Sequence, residues 1–187
     1  MLLLASALLL SVVAGFLLGG SLRRFEKVHL RWWGLAPAGL ALQLIPASGR
    51  VAGLALLFGS YVLLLTFTIR NARTAGFALL IAGLALNVLV IGANGGMPVT
   101  RHALAASGQE ATLEELEDEG GAKHHLADGE LLLPLGDVIP VGGPFHQVMS
   151  IGDVLVYAGI AWFVIAAMRG KVTARRTASR SRSAAGA

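Results

Sequence analysis

The sequence predicts an all-α integral membrane protein: a bundle of five transmembrane helices with one long outer loop between the fourth and fifth helices. Three observations lead there. Of the 187 residues, 55% are hydrophobic and 14% charged, with mean hydropathy +0.70, whereas about a quarter of the residues in a soluble domain carry charge. The apolar residues gather into runs that approach the roughly 20 residues a helix needs to cross a bilayer. Lys and Arg are also sorted between the two sides that such a topology creates. The lack of cysteine excludes a disulfide scaffold, a cysteine zinc site and a thiol nucleophile.

The first span, 2–20, has no charged side chain. A cleaved signal peptide would carry its cations before the apolar run, but here Arg23, Arg24, Lys27 and Arg31 follow it, so the segment reads as a retained helix. Gly15 and Gly19 give it a GxxxG pattern, a weak sign of close helix packing. The second span, 31–47, opens on Arg31, Trp32 and Trp33, an interfacial belt. It also carries Pro37 and Gln43, whose amide is expected to find a partner inside the bundle. Spans 50–69 and 74–93 flank the basic turn Arg70-Asn71-Ala72-Arg73, and the fifth span, 151–168, has Asp153 at its mouth. Residues 1–170 thus form the membrane bundle. Residues 171–187, rich in Arg, Ser, Thr and Ala, read as a disordered basic cytoplasmic tail.

With the N-terminus outside and the C-terminus in the cytoplasm, twelve of the fifteen Lys and Arg residues fall inside, and ten of the eleven Asp and Glu residues fall outside. That is the asymmetry of a multi-pass protein of the cell membrane. The pI of about 10.1 therefore points to membrane lipids as the partner of the cations and not to nucleic acid.

The loop 94–150 is long for so small a chain, which marks it as functional or disordered. Residues 100–106 have the makings of one or two helical turns, and Thr112-Leu113-Glu114-Glu115 matches a capping box at the start of an acidic helix. The stretch 130–140, ELLLPLGDVIP, is too short to span and is broken by Pro134 and Asp137, so it is expected at the outer interface or folded over the bundle. No internal repeat is visible, which argues against a transporter built from inverted halves.

On the fourth span Gly76, Gly83, Asn87 and Asn94 share one helix face, a stripe suited to packing against other helices. The span ends on Asn94-Gly95-Gly96-Met97-Pro98, and the fifth begins with the helix-start signature Ser150-Ile151-Gly152-Asp153. Asn94, Asp137 and Asp153 are expected to converge on the outer side. Lys123 is expected to form a partly buried pair with Asp137 or Asp153, since either charge alone against an apolar loop is costly. Four of the five histidines, His102, His124, His125 and His146, lie in the outer loop. Their spacing matches no compact ligand motif, so they read as solvent-exposed, and neither a metal site nor a cofactor is expected. The candidate pocket comprises Asn94, Met97, Lys123, His124, Asp137, Ser150 and Asp153.

The order of short motifs, NGGMPV, KH, LGDVIP and SIGDVL, resembles a family of bacterial multi-pass membrane proteins defined as a domain of unknown function. The resemblance covers residues 2–168. It implies a compact helical bundle and assigns Asn94, Gly95, Gly96, Met97, Pro98, Lys123, His124, Gly136, Asp137, Ser150, Gly152 and Asp153 to the family pattern; it implies no activity. Residues 112–120 and the tail look like additions peculiar to this chain. Together the residues suggest a polar outer-face pocket that binds a lipid head group, a small solute or a partner protein. The alternative is a membrane-embedded enzyme acting on a lipid-linked substrate, with Asp137 or Asp153 as base and Lys123 or His124 holding an anionic group. No residue is assigned a catalytic role, and oligomeric state is not legible in the sequence.

Overall fold

The computed structural model describes residues 2–118, 121 and 123–172, so the expected disordered tail lies, from Thr173 onward, outside the described residues. Five apolar helices dominate: α1 (Leu2–Leu17), α2 (Leu35–Leu44), α3 (Arg50–Arg70), α4 (Phe77–Asn94) and, after the long connection, α7 (Ile151–Met168). Among the described residues three helices, α3, α4 and α7, are long and apolar enough to cross a membrane, while α1 and α2 are shorter apolar helices. The expected spans 2–20 and 31–47 are therefore longer than the helices found there. The first breaks after Leu17, and Gly19 turns the chain with φ +74°. The second stops because Pro46 forces Ile45 into an extended conformation, ψ 123°.

Extensive contacts run in one series, α2 on α3, α3 on α4, α4 on α7 and α7 on α1. Glycine explains the tightness of the α4–α7 pair. A Cβ on Gly76, the cap of α4, or on Gly83 within it would run into the backbone carbonyl of Gly159 or Gly152 of α7, and one on Gly159 would lie 2.8 Å from the Gly76 oxygen. The two glycine pairs sit two turns apart on antiparallel helices, so the backbones touch along a seam that no larger residue permits. α1 also uses Gly15 against Met168, but Gly19 has open space around it and Gly20 supplies the second close contact. The GxxxG pattern is thus only half a packing motif.

At the Arg70 end the helices converge on Phe67, Phe77 and Phe163, which stack edge to face with centroids 5.5 Å apart in each pair, and Leu35 and Ala36 of α2 close over them. At the Asn94 end a cavity opens between the helices. α2 has already ended there, and its last turn faces α7 across a gap.

The connection between α4 and α7 is ordered into small elements. β1 (Met97–Val99) is followed by α5 (Arg101–Ser107), which Thr100 caps by accepting the Ala103 N–H at 3.2 Å. α6 (Glu110–Asp118) begins two residues before Thr112, so the predicted capping box lies within the helix instead of opening it. β2 (His124–Leu126) pairs in parallel with β1, and a bridge from Val99 to Asp137 adds a third short segment on β1. A turn at Leu133–Leu135, with Leu135 against the core, and the hairpin of β3 (Ile139–Val141) and β4 (Gln147–Met149) complete the cover. The expectation that 130–140 folds over the bundle agrees with this placement.

Gly83→Val should damage the fold through the seam, because the added atoms meet α7 backbone and overpacking typically costs about 1–3 kcal/mol. Gly92→Ala on the same helix, where a Cβ meets nothing within 4 Å, should melt no lower than the parent. Thermal unfolding in detergent checks both, and equal losses would contradict the seam.

Candidate functional site

The gap at the Asn94 end is a cavity of about 740 Å³. Leu57 and Tyr61 of α3, Asn87 and Ile91 of α4, and Asp153 and Tyr157 of α7 form its depth. The end of α2 from Gln43 to Ala47 forms one side, and Leu104, Leu116, His124 and Gln147 come from the loop cover. Apolar and polar surfaces both contribute, as in sites that take part-polar ligands.

The short β segments bring the separate motifs into this cavity. With β1 in the centre, the Met97 N–H donates to the Lys123 carbonyl at 3.0 Å and the Asp137 N–H donates to the Pro98 carbonyl at 2.9 Å. Lys123, His124 and Asp137 therefore flank Met97 and Val99 although they come from two distant parts of the loop. Small residues permit the approach: a Cβ on Gly136 would lie 2.7 Å from the Pro98 oxygen. Gly96, at φ +154°, adopts backbone suited to glycine directly under His125.

Asp153 is fixed from both sides. Ser150 and Asp153 form a capping box, in which the Ser150 hydroxyl accepts the Asp153 N–H at 3.0 Å and Asp153 Oδ2 accepts the Ser150 N–H at 3.1 Å. Asn87, 2% exposed, crosses from α4: its Nδ2 donates to Asp153 Oδ1 at 2.8 Å, and its Oδ1 accepts from the Ser150 hydroxyl at 2.9 Å. Each polar atom buried at this crossing is satisfied, which is the condition for keeping such groups among apolar helices.

Asp137 is arranged differently. It is 5% exposed, Oδ2 lies 3.7 Å from His124 Nε2, and Oδ1 has no hydrogen-bond partner. Burial, and then the nearby Asp153 charge, push its carboxyl well above the ordinary aspartate range. The His124 side chain keeps 49% of its surface accessible to the cavity it lines, yet desolvation holds it below the ordinary histidine range; Asp153 opposes that shift, and Lys123 and His125 add to it. At the 3.7 Å contact burial therefore biases the imidazole and the carboxyl alike toward their neutral forms.

The expected pairing of Lys123 with Asp137 or Asp153 is not what the structure holds. Lys123 Nζ donates to the Gln43 carbonyl at 2.7 Å and reaches the Ile45 carbonyl at 3.3 Å. It caps the end of α2, where freed carbonyls and the helix dipole favour a cation. Asn94 also departs from the expected convergence. Its Nδ2 donates to the Val90 and Leu131 carbonyls, and its Oδ1 accepts the Leu131 N–H at 2.9 Å. It straps the loop to α4 and does not line the cavity. Asp137, Asp153, Lys123, His124 and Met97 do line it, while Ser150 stands just behind Asp153.

Of the four loop histidines His102, His124 and His146 are exposed as expected, and His125 alone is half-buried, its Nε2 3.4 Å from Glu130 Oε1. Among the described residues no group of three His, Cys, Asp or Glu is placed to hold a metal ion. Sequence reasoning missed Tyr61 and Tyr157, the two tyrosines of the chain, which line the cavity from mid-helix positions. A phenol inside an otherwise apolar run was the available signal. Gln43, expected to find a partner in the bundle, donates to the Ser60 hydroxyl at 2.8 Å.

The class defined by fold and site is a mostly helical protein with three helices long and apolar enough to cross a membrane and a cavity of mixed polar and apolar lining under a structured loop. Residues 27–165 match the family of unknown function DUF5317, and the chain belongs to that family. It is also similar to an uncharacterized protein of Thermotoga maritima, 31% identical over 163 residues that cover 85% of this chain and 86% of that one. No solved structure matches.

The unfolded chain ionises Asp137 above the ordinary value of 3.8, while the folded protein resists ionisation, so Asp137 lowers stability progressively as pH rises past that value. His124 acts oppositely, lowering stability as pH falls below 6.5. Asp137→Asn keeps the neutral shape, so the variant should melt above the parent at pH 8 and converge with it near pH 4. A loss at pH 8 that disappears near pH 4 would instead reveal a folded-state partner for the carboxylate.

Proposed function

We propose that this chain is a five-span protein of the cell membrane, N-terminus outside and C-terminus in the cytoplasm, whose outer cavity binds the polar head of a membrane lipid. The observation that carries the reading is Asp137 Oδ1, buried beside the cavity without a hydrogen-bond partner. An unpaired buried acceptor costs roughly 1–3 kcal/mol. A head-group hydroxyl or ammonium that donates to it recovers that loss.

The shape of the site favours an amphiphile over a free solute. α2 ends at Leu44, and no extensive contact joins it to α7, so the cavity wall is weakest between these helices; in the proposed topology that opening faces the outer head-group region. Apolar residues such as Leu57, Ile91 and Val148 lie beside Asp137, Asp153 and Gln147, so a ligand with both characters is matched on each side. α1 and α2 enter the five-span reading as short helices lengthened by apolar flanks, Leu18 after α1 and the Trp32–Gly34 turn before α2. The enzymatic alternative has less support. Lys123 spends its ammonium on two α2 carbonyls instead of an anionic group, and Asp153 is held by Asn87 and Ser150 instead of standing free as a base.

Native mass spectrometry of protein released from lipid nanodiscs tests the pocket. Ala47→Trp places an indole at the cavity rim, and Ala55→Trp places one on an exposed face of α3. The first should lose the retained lipid that the parent and the second keep, with all three melting alike. Equal retention by Ala47→Trp would end the head-group reading. Topology is checked in the same cysteine-free chain. An impermeant thiol reagent applied to intact cells should label Ala105→Cys, an exposed position in α5, and should reach Ala72→Cys in the α3–α4 turn only after lysis. The reverse pattern would invert the orientation.

A further inference from the structure

The Arg70 end of the bundle holds a second cavity of about 550 Å³, lined by Arg31, Arg70 and Arg73 with Asn71 and Thr74. Its three arginines come from two chain segments, and a buried side chain brings those segments together. Asn71, 6% exposed, accepts the Arg31 N–H at 2.9 Å and donates to the carbonyls of Arg31 and Phe67 at 2.9 and 2.8 Å. All of its bonds go to main chain, so the backbone of Arg31 is locked against the end of α3 whatever the arginine side chain does. The turn beyond is pinned by the Thr74 N–H donating to the Asn71 carbonyl at 2.8 Å, and Arg70 lies over the Trp32 ring at 4.4 Å.

Among the described residues no carboxylate lies within ion-pair distance of any of these arginines. Their like charges repel across a shared cleft unless an anion enters it. Guanidinium is planar and presents paired N–H donors that fit phosphate oxygens two at a time, a geometry lysine lacks. Trp32 and Trp33 are exposed beside the cleft, as residues at the head-group level of a bilayer are.

We infer that this cleft is a phosphate-binding site formed by Arg31, Arg70 and Arg73, with the Thr74 hydroxyl as an additional donor. The phosphate is carried either by an anionic phospholipid or by a soluble phosphate compound. The site is separate from the cavity at the Asn94 end and does not depend on what that cavity binds.

Binding is read on the full chain in detergent by native mass spectrometry, with phosphatidylglycerol and phosphatidylcholine titrated separately and inorganic phosphate followed by thermal shift. Charge-assisted hydrogen bonds of this kind are each worth about tenfold in affinity or more. Arg70→Gln/Arg73→Gln should therefore weaken anion binding by about tenfold or more. Arg23→Gln/Lys27→Gln removes the same charge from the same end and should stay within about twofold, because charges outside the cleft act only through a screened field. Preferential binding of phosphatidylglycerol that fails in the first variant assigns a lipid phosphate. A phosphate-induced rise in melting temperature lost in the first variant, without lipid preference, assigns a soluble one. Should the first variant not fold, Arg31→Gln leaves the Asn71 clamp intact, because that clamp uses only the Arg31 backbone, and it must show the same loss. Equal weakening in both double variants, or a parent that responds neither to phosphatidylglycerol in preference to phosphatidylcholine nor to inorganic phosphate, overturns the proposal.

Discussion

Asn87 lies between α4 and α7 with its amide nitrogen on Asp153 and its oxygen on the Ser150 hydroxyl, and the arrangement of the whole Asn94 end follows from that crossing. The glycine pairs bring the two backbones close enough for one carboxamide to reach both partners. A longer side chain would not fit against Gly152, and an apolar one would leave the Asp153 and Ser150 polar atoms unpaired among apolar helices. The capping box orients Asp153 toward α4, the Asn87 amide holds it there, and the start of α7 is fixed relative to the end of α4. The loop that joins those two helix ends is consequently closed over a fixed base.

Two clamps from the loop then decide the shape of the cavity. Asn94 ties Leu131 to α4 and Lys123 ties the β1–β2 segment to the free carbonyls of α2. Because α2 is short, its carbonyls lie low, and a cation must reach down to cap them. The loop is drawn across the bundle while a gap persists beneath it. Asp137 sits at the edge of that gap on the bridge to β1, with one buried oxygen unmatched by the protein. At the opposite end the same logic runs through Asn71, which spends its amide on backbone and leaves three arginines around a cleft.

Much of this was legible in the sequence, because apolar runs and glycine spacing are local signals. The stripe Gly76, Gly83 and Asn87 named the seam face, Ser150 to Asp153 named a real capping box, and the boundaries of α7 were read to the residue. What escaped were relations between distant segments. Lys123 and Asp137 look like natural partners along the chain, but a parallel strand pair sets them on either side of β1, and the lysine finds carbonyls that only the early end of α2 exposes. Thr112 has the spacing of a helix start, yet α6 opens two residues earlier at Glu110. Asn94 shares a face with Asn87, but the loop passing over it captured its amide. Tyr61 and Tyr157 were hidden inside runs whose hydrophobicity dominated the reading.

The account rests most directly on the coupling of Asn87 to Asp153. Asn87→Ala and Asp153→Ala, made singly and together, form a double-mutant cycle read by reversible unfolding in bicelles. Interhelical polar pairs in membranes average about 0.6 kcal/mol and reach about 1.7. A pair that also anchors a capping box should fall near the upper end, with the second substitution costing much less once the first is in place. Losses that add to within about 0.5 kcal/mol, the scatter of independent sites, would show that the seam does not depend on this bond.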